Sequence, residues 1–176
     1  MLMIRAATVD DAAPIGRIKV RAWRAAYAAF MPATVLGALD PHQEASDWAG
    51  YVTAMPAEHR LWVAGQDGAV VGFCRTGPAA DDPDLGPAAA EVYGLYVDPD
   101  RTGAGIGAAL FGHAVADLRS RGRQPVCVYA YQPNEGAVRF YQRAGFTLDG
   151  TTRLDGDGDD ATGVAEVRLT DARAAV

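Results

Sequence analysis

The chain has 176 residues and a formal net charge of −6, with 49% hydrophobic and 22% charged residues. These values exclude a wholly disordered chain and suit one folded domain over residues 1–176. The acidic balance disfavours general binding of DNA or RNA, which depends on neutralising phosphates, and no apolar run approaches the roughly 20 residues that cross a bilayer. With no signal-peptide pattern at the N-terminus, we expect a cytoplasmic protein with small or cationic partners.

The first half of the sequence alternates helical and strand patterns. A strand is predicted over residues 3–7 and a helix over about 11–27, where apolar side chains recur at helical spacing. Two further helical stretches follow. Two apolar runs, 61–64 and 70–74, then flank Gln66-Asp67-Gly68, which is a strong signal for a β-hairpin.

The second half alternates strands with helices. Its predicted elements are a surface loop over 77–89, a strand over 91–97, a helix over about 105–121, a strand over 125–131, a short helix over 135–144, and strands over 146–154 and 164–169. The turn Asp155-Gly-Asp-Gly-Asp-Asp160 alternates acidic residues, as an EF-hand loop does. Glu166 is twelfth from Asp155 but falls inside a predicted strand, and Asp160 takes the place of the EF-hand glycine. A solvated hairpin turn is therefore favoured over calcium binding.

The sequence predicts no metal site. Its two cysteines, Cys74 and Cys127, lie in separate apolar runs, and no CxxC motif or cysteine–histidine cluster is present. Two buried thiols are typical of a cytoplasmic protein.

Three alternating glycines form the most informative segment of the chain. Gly103, Gly105 and Gly107 stand between a strand end and a helix start, where free backbone N–H groups can hold a diphosphate. A tight turn without a ligand is the alternative. Residues 103–108 also fit the relaxed dinucleotide pattern GxGxxA, but they are not in the first βα turn and no acidic residue follows at the required distance. A P-loop needs Lys and Ser or Thr where Ala108-Ala109 stand, so a dehydrogenase or nucleotide hydrolase is disfavoured.

A second motif follows the next strand. Asn134-Glu-Gly-Ala-Val-Arg-Phe-Tyr141-Gln-Arg-Ala-Gly-Phe146 resembles the N-x-x-A-x-x-F-Y-x-x-x-G-F signature of the GNAT superfamily of acyl-CoA-dependent N-acetyltransferases. The glycine loop is similar to that superfamily's (Q/R)-x-x-G-x-G/A signature, at the expected distance before it. Thr102 stands where Gln or Arg is usual, and Arg101 lies one position earlier. The order of elements extends the resemblance over nearly the whole chain.

The resemblance implies a single-domain α/β fold with a mixed, strongly bent sheet of about seven strands and about four helices. Its fourth and fifth strands splay apart, and the pantetheine arm of the co-substrate acetyl-CoA pairs with backbone groups in the gap. The implied acetyl-CoA contacts are Leu95, Tyr96, Val97, Arg101, Thr102, Gly103, Ala104, Gly105, Ile106, Gly107, Ala108, Asn134 and Tyr141. Asn134 is equally suited to cap the helix that follows it.

The resemblance also suggests catalytic roles. Glu91 is the candidate base that removes a proton from the amine, directly or through water, and Tyr141 the candidate acid that protonates the thiolate of CoA. A surface or substrate-binding role is the alternative for Glu91, and cofactor packing the alternative for Tyr141. Strand alternation predicts that residues 91, 93, 95 and 97 share one face.

The acceptor site is less readable from the sequence. Trp23 is expected in the core, whereas Tyr27 and Phe30, near a helix end, and Tyr93 are the candidate acceptor contacts. The segment around residues 21–32 resembles a bacterial GNAT subgroup of mostly unassigned substrate. The predicted function is acetyl transfer to a primary amine of a small molecule. Alternatives are a protein or peptide N-acetyltransferase and a non-catalytic CoA-sensing module; the resemblance also allows a homodimer.

Overall fold

The computed structural model describes residues 1–156 and 162–172. Seven strands form one sheet in the order β1-β2-β3-β4-β5-β7-β6. The strands are β1 (Met3–Ala6), β2 (Arg60–Gln66), β3 (Ala69–Pro78), β4 (Ala90–Val97), β5 (Val126–Tyr131), β6 (Thr147–Leu154) and β7 (Ala165–Thr170). The helices are α1 (Ala12–Tyr27), α2 (Ala33–Ala38), α3 (Pro41–Thr53), α4 (Ile106–Ser120) and α5 (Glu135–Arg143). The predicted mixed α/β fold is confirmed, with a short 3₁₀ turn at Pro83–Leu85 inside the predicted loop.

Local sequence explains the sharpest turn of the sheet. β2 and β3 are joined by Asp67 and Gly68, whose φ angles are +53° and +80°. Positive φ at both central residues is the type I′ geometry that matches the twist of a two-residue hairpin, and Asp-Gly tolerates it well. The hairpin predicted from Gln66-Asp67-Gly68 is therefore confirmed.

The two faces of the sheet carry different helices. Leu61, Val63 and Phe73 pack in one cluster with Ile15 and Ile18 of α1. Strand residues of the opposite parity, such as Ala64 and Cys74, pack against Leu110 and Leu118 of α4. Alternation along β2 and β3 thus separates the α1–α3 layer from the α4–α5 layer.

The only parallel pairing in the described sheet is short. β4 and β5 pair at Ala90 with Val126, Glu91 with Cys127 and Val92 with Val128, and they diverge beyond these positions. The other strand pairs are antiparallel. The expected splay between the fourth and fifth strands is confirmed, and it leaves the C-terminal half of β4 without a partner on its β5 side.

A bulge corrects the predicted alternation along β4. Arg75 pairs with Gly94 and Thr76 with Val92, so Tyr93 is an extra residue in the ladder. A bulge shifts the parity of every later side chain. Leu95 and Val97 accordingly pack with Val92 on the α4 side. The expectation that residues 91, 93, 95 and 97 share one face is therefore wrong.

Two further expectations concern the acidic turn and the length of the helices. In the acidic turn, Asp157, Asp159 and Asp160 lie outside the described residues; Asp155 accepts hydrogen bonds from Tyr131 and Thr162. Among the helices of residues 1–156 and 162–172, none has both the length and the apolar character that crossing a membrane needs.

Candidate active site

A cavity of about 1230 Å³ opens where β4 and β5 diverge. It brings together eight of the residues predicted from the sequence, from both motifs and from the N-terminal helix. These are Tyr27, Tyr93, Leu95, Tyr96, Val97, Thr102, Asn134 and Tyr141. Trp23, expected in the core, is half-buried and also lines the cavity. Glu91, Phe30, Arg101 and residues 103–108 lie outside this lining.

The glycine loop places helix N–H groups beside the cavity. Gly103 and Gly105 have φ angles of +81° and +78°, and Gly105 is the N-cap residue of α4. These left-handed positions favour glycine, because a Cβ there meets the backbone. Gly107 has no positive φ; a Cβ on it would lie 3.6 Å from Phe140 and Val97, an ordinary contact. The loop can therefore present the N-terminus of α4 to an anion such as a diphosphate.

The segment before the glycines is fixed to α1. Arg21 donates to both carboxylate oxygens of Asp98 at 2.7 and 2.8 Å and to Asp100 at 2.7 Å. The Thr102 hydroxyl donates to the Pro99 carbonyl at 3.1 Å, and Arg101 is exposed. These charge-assisted hydrogen bonds fix the start of the loop to α1. Sequence reasoning missed them because the partners are more than 70 residues apart.

The second motif places Tyr141 and Asn134 at the cavity wall. Tyr141 is buried, with its ring centroid 5.2 Å from that of Phe111 and 5.3 Å from that of Phe140. Burial raises the pKa of its hydroxyl above the usual value for tyrosine. The phenol therefore holds its proton at neutral pH. Asn134 Oδ1 accepts from the Ala137 N–H at 3.2 Å, which confirms its role as the cap of α5.

Glu91 lies behind the cavity wall, with only 5% of its surface exposed. Arg153 Nη2 lies 3.4 Å from Glu91 Oε1, while Arg153 Nε donates to Glu166 Oε2 at 2.7 Å. The guanidinium carbon of Arg153 is 3.5 Å from the centre of the Tyr129 ring. Arg153, Glu166 and Tyr129 all line the cavity. Burial raises the pKa of Glu91 to about 7, and Arg153 opposes that rise.

A buried cation, Arg168, connects the elements behind this wall. Arg168, only 3% exposed, donates to Asp82, Asp84 and Asp149. Asp82 Oδ1 also accepts from the Tyr129 hydroxyl. The loop between β3 and β4 is thereby joined to β5, β6 and β7. Sequence reasoning did not identify Arg153, Glu166 or Arg168 as site residues; the alternation of charged residues at 166 and 168 within an apolar strand was the available signal.

One group of side chains has the spacing of metal ligands. Single ligand atoms of Asp82, Glu91 and Cys127 lie within 4.8 Å of one another. Burial raises the pKa of the Cys127 thiol, which disfavours the thiolate that a metal needs. Asp82 Oδ1 is already engaged by Arg168 and Tyr129. The chemistry of this group therefore does not fit a resident metal ion.

Aromatic rings line one end of the cavity. The Tyr131 ring centroid is 5.0 Å from that of Tyr27, 5.9 Å from that of Phe30 and 6.2 Å from that of Trp23. Phe30 lies outside the lining and packs against the rings of Tyr27 and Tyr131. Tyr93 donates a 2.5 Å hydrogen bond to the Pro78 carbonyl, so its ring, and not a free hydroxyl, is offered to a ligand.

The lining of the cavity is acidic. Five carboxylate side chains and two basic side chains contribute to it; they are Asp40, Glu44, Asp47, Asp155, Glu166, Lys19 and Arg153. Lys19 is paired with Glu44 at 2.8 Å, and Arg153 with Glu166. An excess of carboxylates beside aromatic rings suits a cationic ligand.

Solved N-acetyltransferases have the same fold. The PaiA N-acetyltransferase of Thermoplasma acidophilum, solved in complex with coenzyme A, matches with a TM-score of 0.71 at 18% identity, over 96% of this chain and 98% of that one. The ribosomal-protein-alanine N-acetyltransferase of Brucella melitensis gives a TM-score of 0.72 at 20% identity, over 96% and 98%. The profile of the acetyltransferase (GNAT) family matches residues 21–146, and the chain belongs to that family.

Curated relatives share parts of the sequence. The mycothiol acetyltransferase of Cellulomonas flavigena is 36% identical over 116 residues, which cover 62% of this chain and 33% of that protein. The mycothiol acetyltransferase of Sanguibacter keddieii is 40% identical over 85 residues, covering 48% of this chain and 27% of the relative. The chain thus matches about a third or less of the length of these two relatives.

Proposed function

We propose that the protein transfers an acetyl group from acetyl-CoA to a primary amine of a small molecule, with both substrates bound together. The observation that carries the proposal is the cavity at the β4–β5 splay, which is lined by Thr102 at the start of the glycine loop, by Tyr141 and by an acidic, aromatic end. Acetyl-CoA supplies the acetyl group as a reactive thioester. Its diphosphate would rest on the N–H groups of residues 103–108, and its pantetheine arm along residues 95–97.

Each chemical requirement of the transfer has a candidate group. The amine nitrogen bonds to the acetyl carbon, and the carbon–sulfur bond breaks. The proton of the amine goes to Glu91, directly or through water, and the departing thiolate takes a proton from Tyr141. Glu91 is suited to this because a base with a pKa near 7 is half ionised at neutral pH. A backbone N–H near Leu95 is the proposed donor to the carbonyl oxygen as it gains charge.

The charge of the cavity supports a cationic acceptor. Carboxylates outnumber basic side chains at the lining, and the rings of Tyr27, Trp23 and Tyr131 lie in the same lining. Diamines, polyamines and aminoglycosides combine a reactive amine with further positive charge. We expect such acceptors to be used in preference to amino acids, whose carboxylates these side chains repel.

The test is release of the CoA thiol from acetyl-CoA against a panel of polyamines, amino acids, aminoglycosides and short peptides. Turnover with cationic small molecules is the expected result. Turnover with peptides alone would replace the small-molecule acceptor by a protein one. Retained acetyl-CoA binding without turnover across the panel would favour a CoA-sensing module over an enzyme.

A further inference from the structure

The wall between Glu91 and the cavity contains the guanidinium of Arg153 and the carboxylate of Glu166. Arg153 reaches Glu166 at 2.7 Å through Nε and Glu91 at 3.4 Å through Nη2. Glu91 and Glu166 are 5% and 8% exposed. A single half-buried cation therefore pairs with two buried carboxylates, and its shorter contact is with the one that lines the cavity.

We propose that Arg153 is a positioning residue. Because its guanidinium is shared between Glu91 and Glu166, it sets the pH range over which Glu91 accepts the proton of the amine. This inference rests on the proposed acetyl transfer and on Glu91 as its base. Packing of the guanidinium on the Tyr129 ring at 3.5 Å holds it between the two carboxylates. A pure salt bridge to Glu91 would instead keep that carboxylate ionised throughout.

Several other charged or titratable groups face Glu91 and influence its ionisation together with Arg153. They are Asp82 from the loop before β4, Tyr93 on its own strand, Cys127 and Tyr129 on β5, and Glu166 and Arg168 on β7. Asp82 and Glu166 repel the ionised form of Glu91. Arg168 is engaged with Asp82, Asp84 and Asp149. Arg153 is thus the cation that the fold places against Glu91 within the described part of the chain.

Two substitutions should shift the ionisation of Glu91 in opposite directions. Arg153→Gln removes the cation, so the ionisation of Glu91 should shift upward by about one pH unit. Glu166→Gln removes a like charge and leaves Arg153 to Glu91 alone, so the ionisation should shift downward by about one unit. A merely structural role for these side chains would not produce shifts of opposite sign.

The experiment measures the pH dependence of kcat together with a carbon-13 NMR titration of the glutamate carboxyl groups. The Glu91 signal is assigned by its loss in Glu91→Gln. At a pH below the midpoint, a one-unit upward shift corresponds to a rate about tenfold lower for Arg153→Gln. Arg153→Lys, which keeps the charge, should restore part of the shift, and Arg17→Gln, which removes an exposed charge on α1, should leave the profile in place.

The NMR titration separates this inference from the proposed function. If the wild-type chain shows no turnover, acetyl transfer is wrong, and the Glu91 titration in the two variants still decides the role of Arg153. Shifts in the same direction, or no shift, would overturn it. Loss of turnover in Glu166→Gln with full turnover in Glu91→Gln would also overturn it, because Glu166 would then be the base.

Discussion

The Tyr129 hydroxyl donates a 2.5 Å hydrogen bond to Oδ1 of Asp82. Asp82 belongs to the loop before β4, and Tyr129 lies on β5 just beyond the last paired residue, Val128. The bond therefore holds the loop to the strand at the point where the two halves of the sheet separate. It also fixes the ring on which Arg153 lies, so the orientation of the site depends on a loop that the family signatures do not include.

Replacement of Tyr141 by Phe should remove the proposed proton donor while keeping the ring contacts with Phe111 and Phe140. We expect kcat to fall by about 10²-fold, a typical contribution of acid catalysis, with acetyl-CoA affinity nearly unchanged. Steady-state kinetics and calorimetric binding of acetyl-CoA test this. The matched control is Tyr51→Phe, whose hydroxyl bonds His59 outside the cavity. An equal loss of rate in both variants would contradict the assignment.

Ionising Glu91 should cost the folded protein stability. Its pKa is about 7 in the fold and 4.5 ordinarily, so the folded state holds the proton more tightly. The free energy of unfolding should therefore fall as pH rises from about 4.5 to about 7, by as much as about 3 kcal/mol.

Glu91→Gln carries no such charge and should be the more stable protein above pH 8. Urea unfolding of both proteins at pH 5 and pH 8 measures the difference. If the difference in the free energy of unfolding between the two proteins is the same at both pH values, ionisation of Glu91 does not destabilise the fold.

Arg168 should be among the most important residues for stability. It is 3% exposed and pairs with Asp82, Asp84 and Asp149, so Arg168→Met leaves the buried Asp82 carboxylate without its cation. We expect a loss of about 3 kcal/mol in the free energy of unfolding. The comparison is Arg139→Met, which breaks an exposed pair with Glu135 and should cost no more than about 0.5 kcal/mol. Similar unfolding midpoints for the two variants would refute this prediction.

Gly105 and Gly107 of the glycine loop should differ in their tolerance of alanine. Gly105 has a left-handed φ at the cap of α4, so Gly105→Ala should lose about 1 kcal/mol of stability and weaken acetyl-CoA binding by about tenfold. Gly107→Ala places its Cβ at an ordinary 3.6 Å from Phe140 and Val97 and should bind normally. Thermal unfolding and acetyl-CoA titration distinguish them; equal losses would indicate that Gly107 touches the ligand.

The sequence was sufficient to predict elements whose causes are local. The Asp67-Gly68 hairpin, the Asn134 cap and the glycine start of α4 follow from the conformations those residues prefer. The bulge at Tyr93 was not predictable, because it depends on how β3 and β4 align rather than on either strand alone.

The electrostatics of the site were also beyond the sequence. Glu91 was identified through the family resemblance, but the charged groups beside it, Arg153 and Glu166, are more than 60 residues away. From the sequence, Glu166 was considered only as the twelfth residue of a possible calcium loop, and that loop was disfavoured. Charged partners this far apart leave no periodic pattern, and only the strand order brings them together.

The short parallel ladder between β4 and β5 has a consequence for how the chain can be divided. Residues up to Thr102 supply one wall of the cavity, and residues after 125 supply the other, with Glu91–Arg153 and Asp82–Arg168 crossing between them. A fragment cut anywhere between these two segments would carry half a site and unpaired buried charges. The smallest working unit of this chain is therefore the whole sheet, and its two halves should be expressed, permuted or recombined only together.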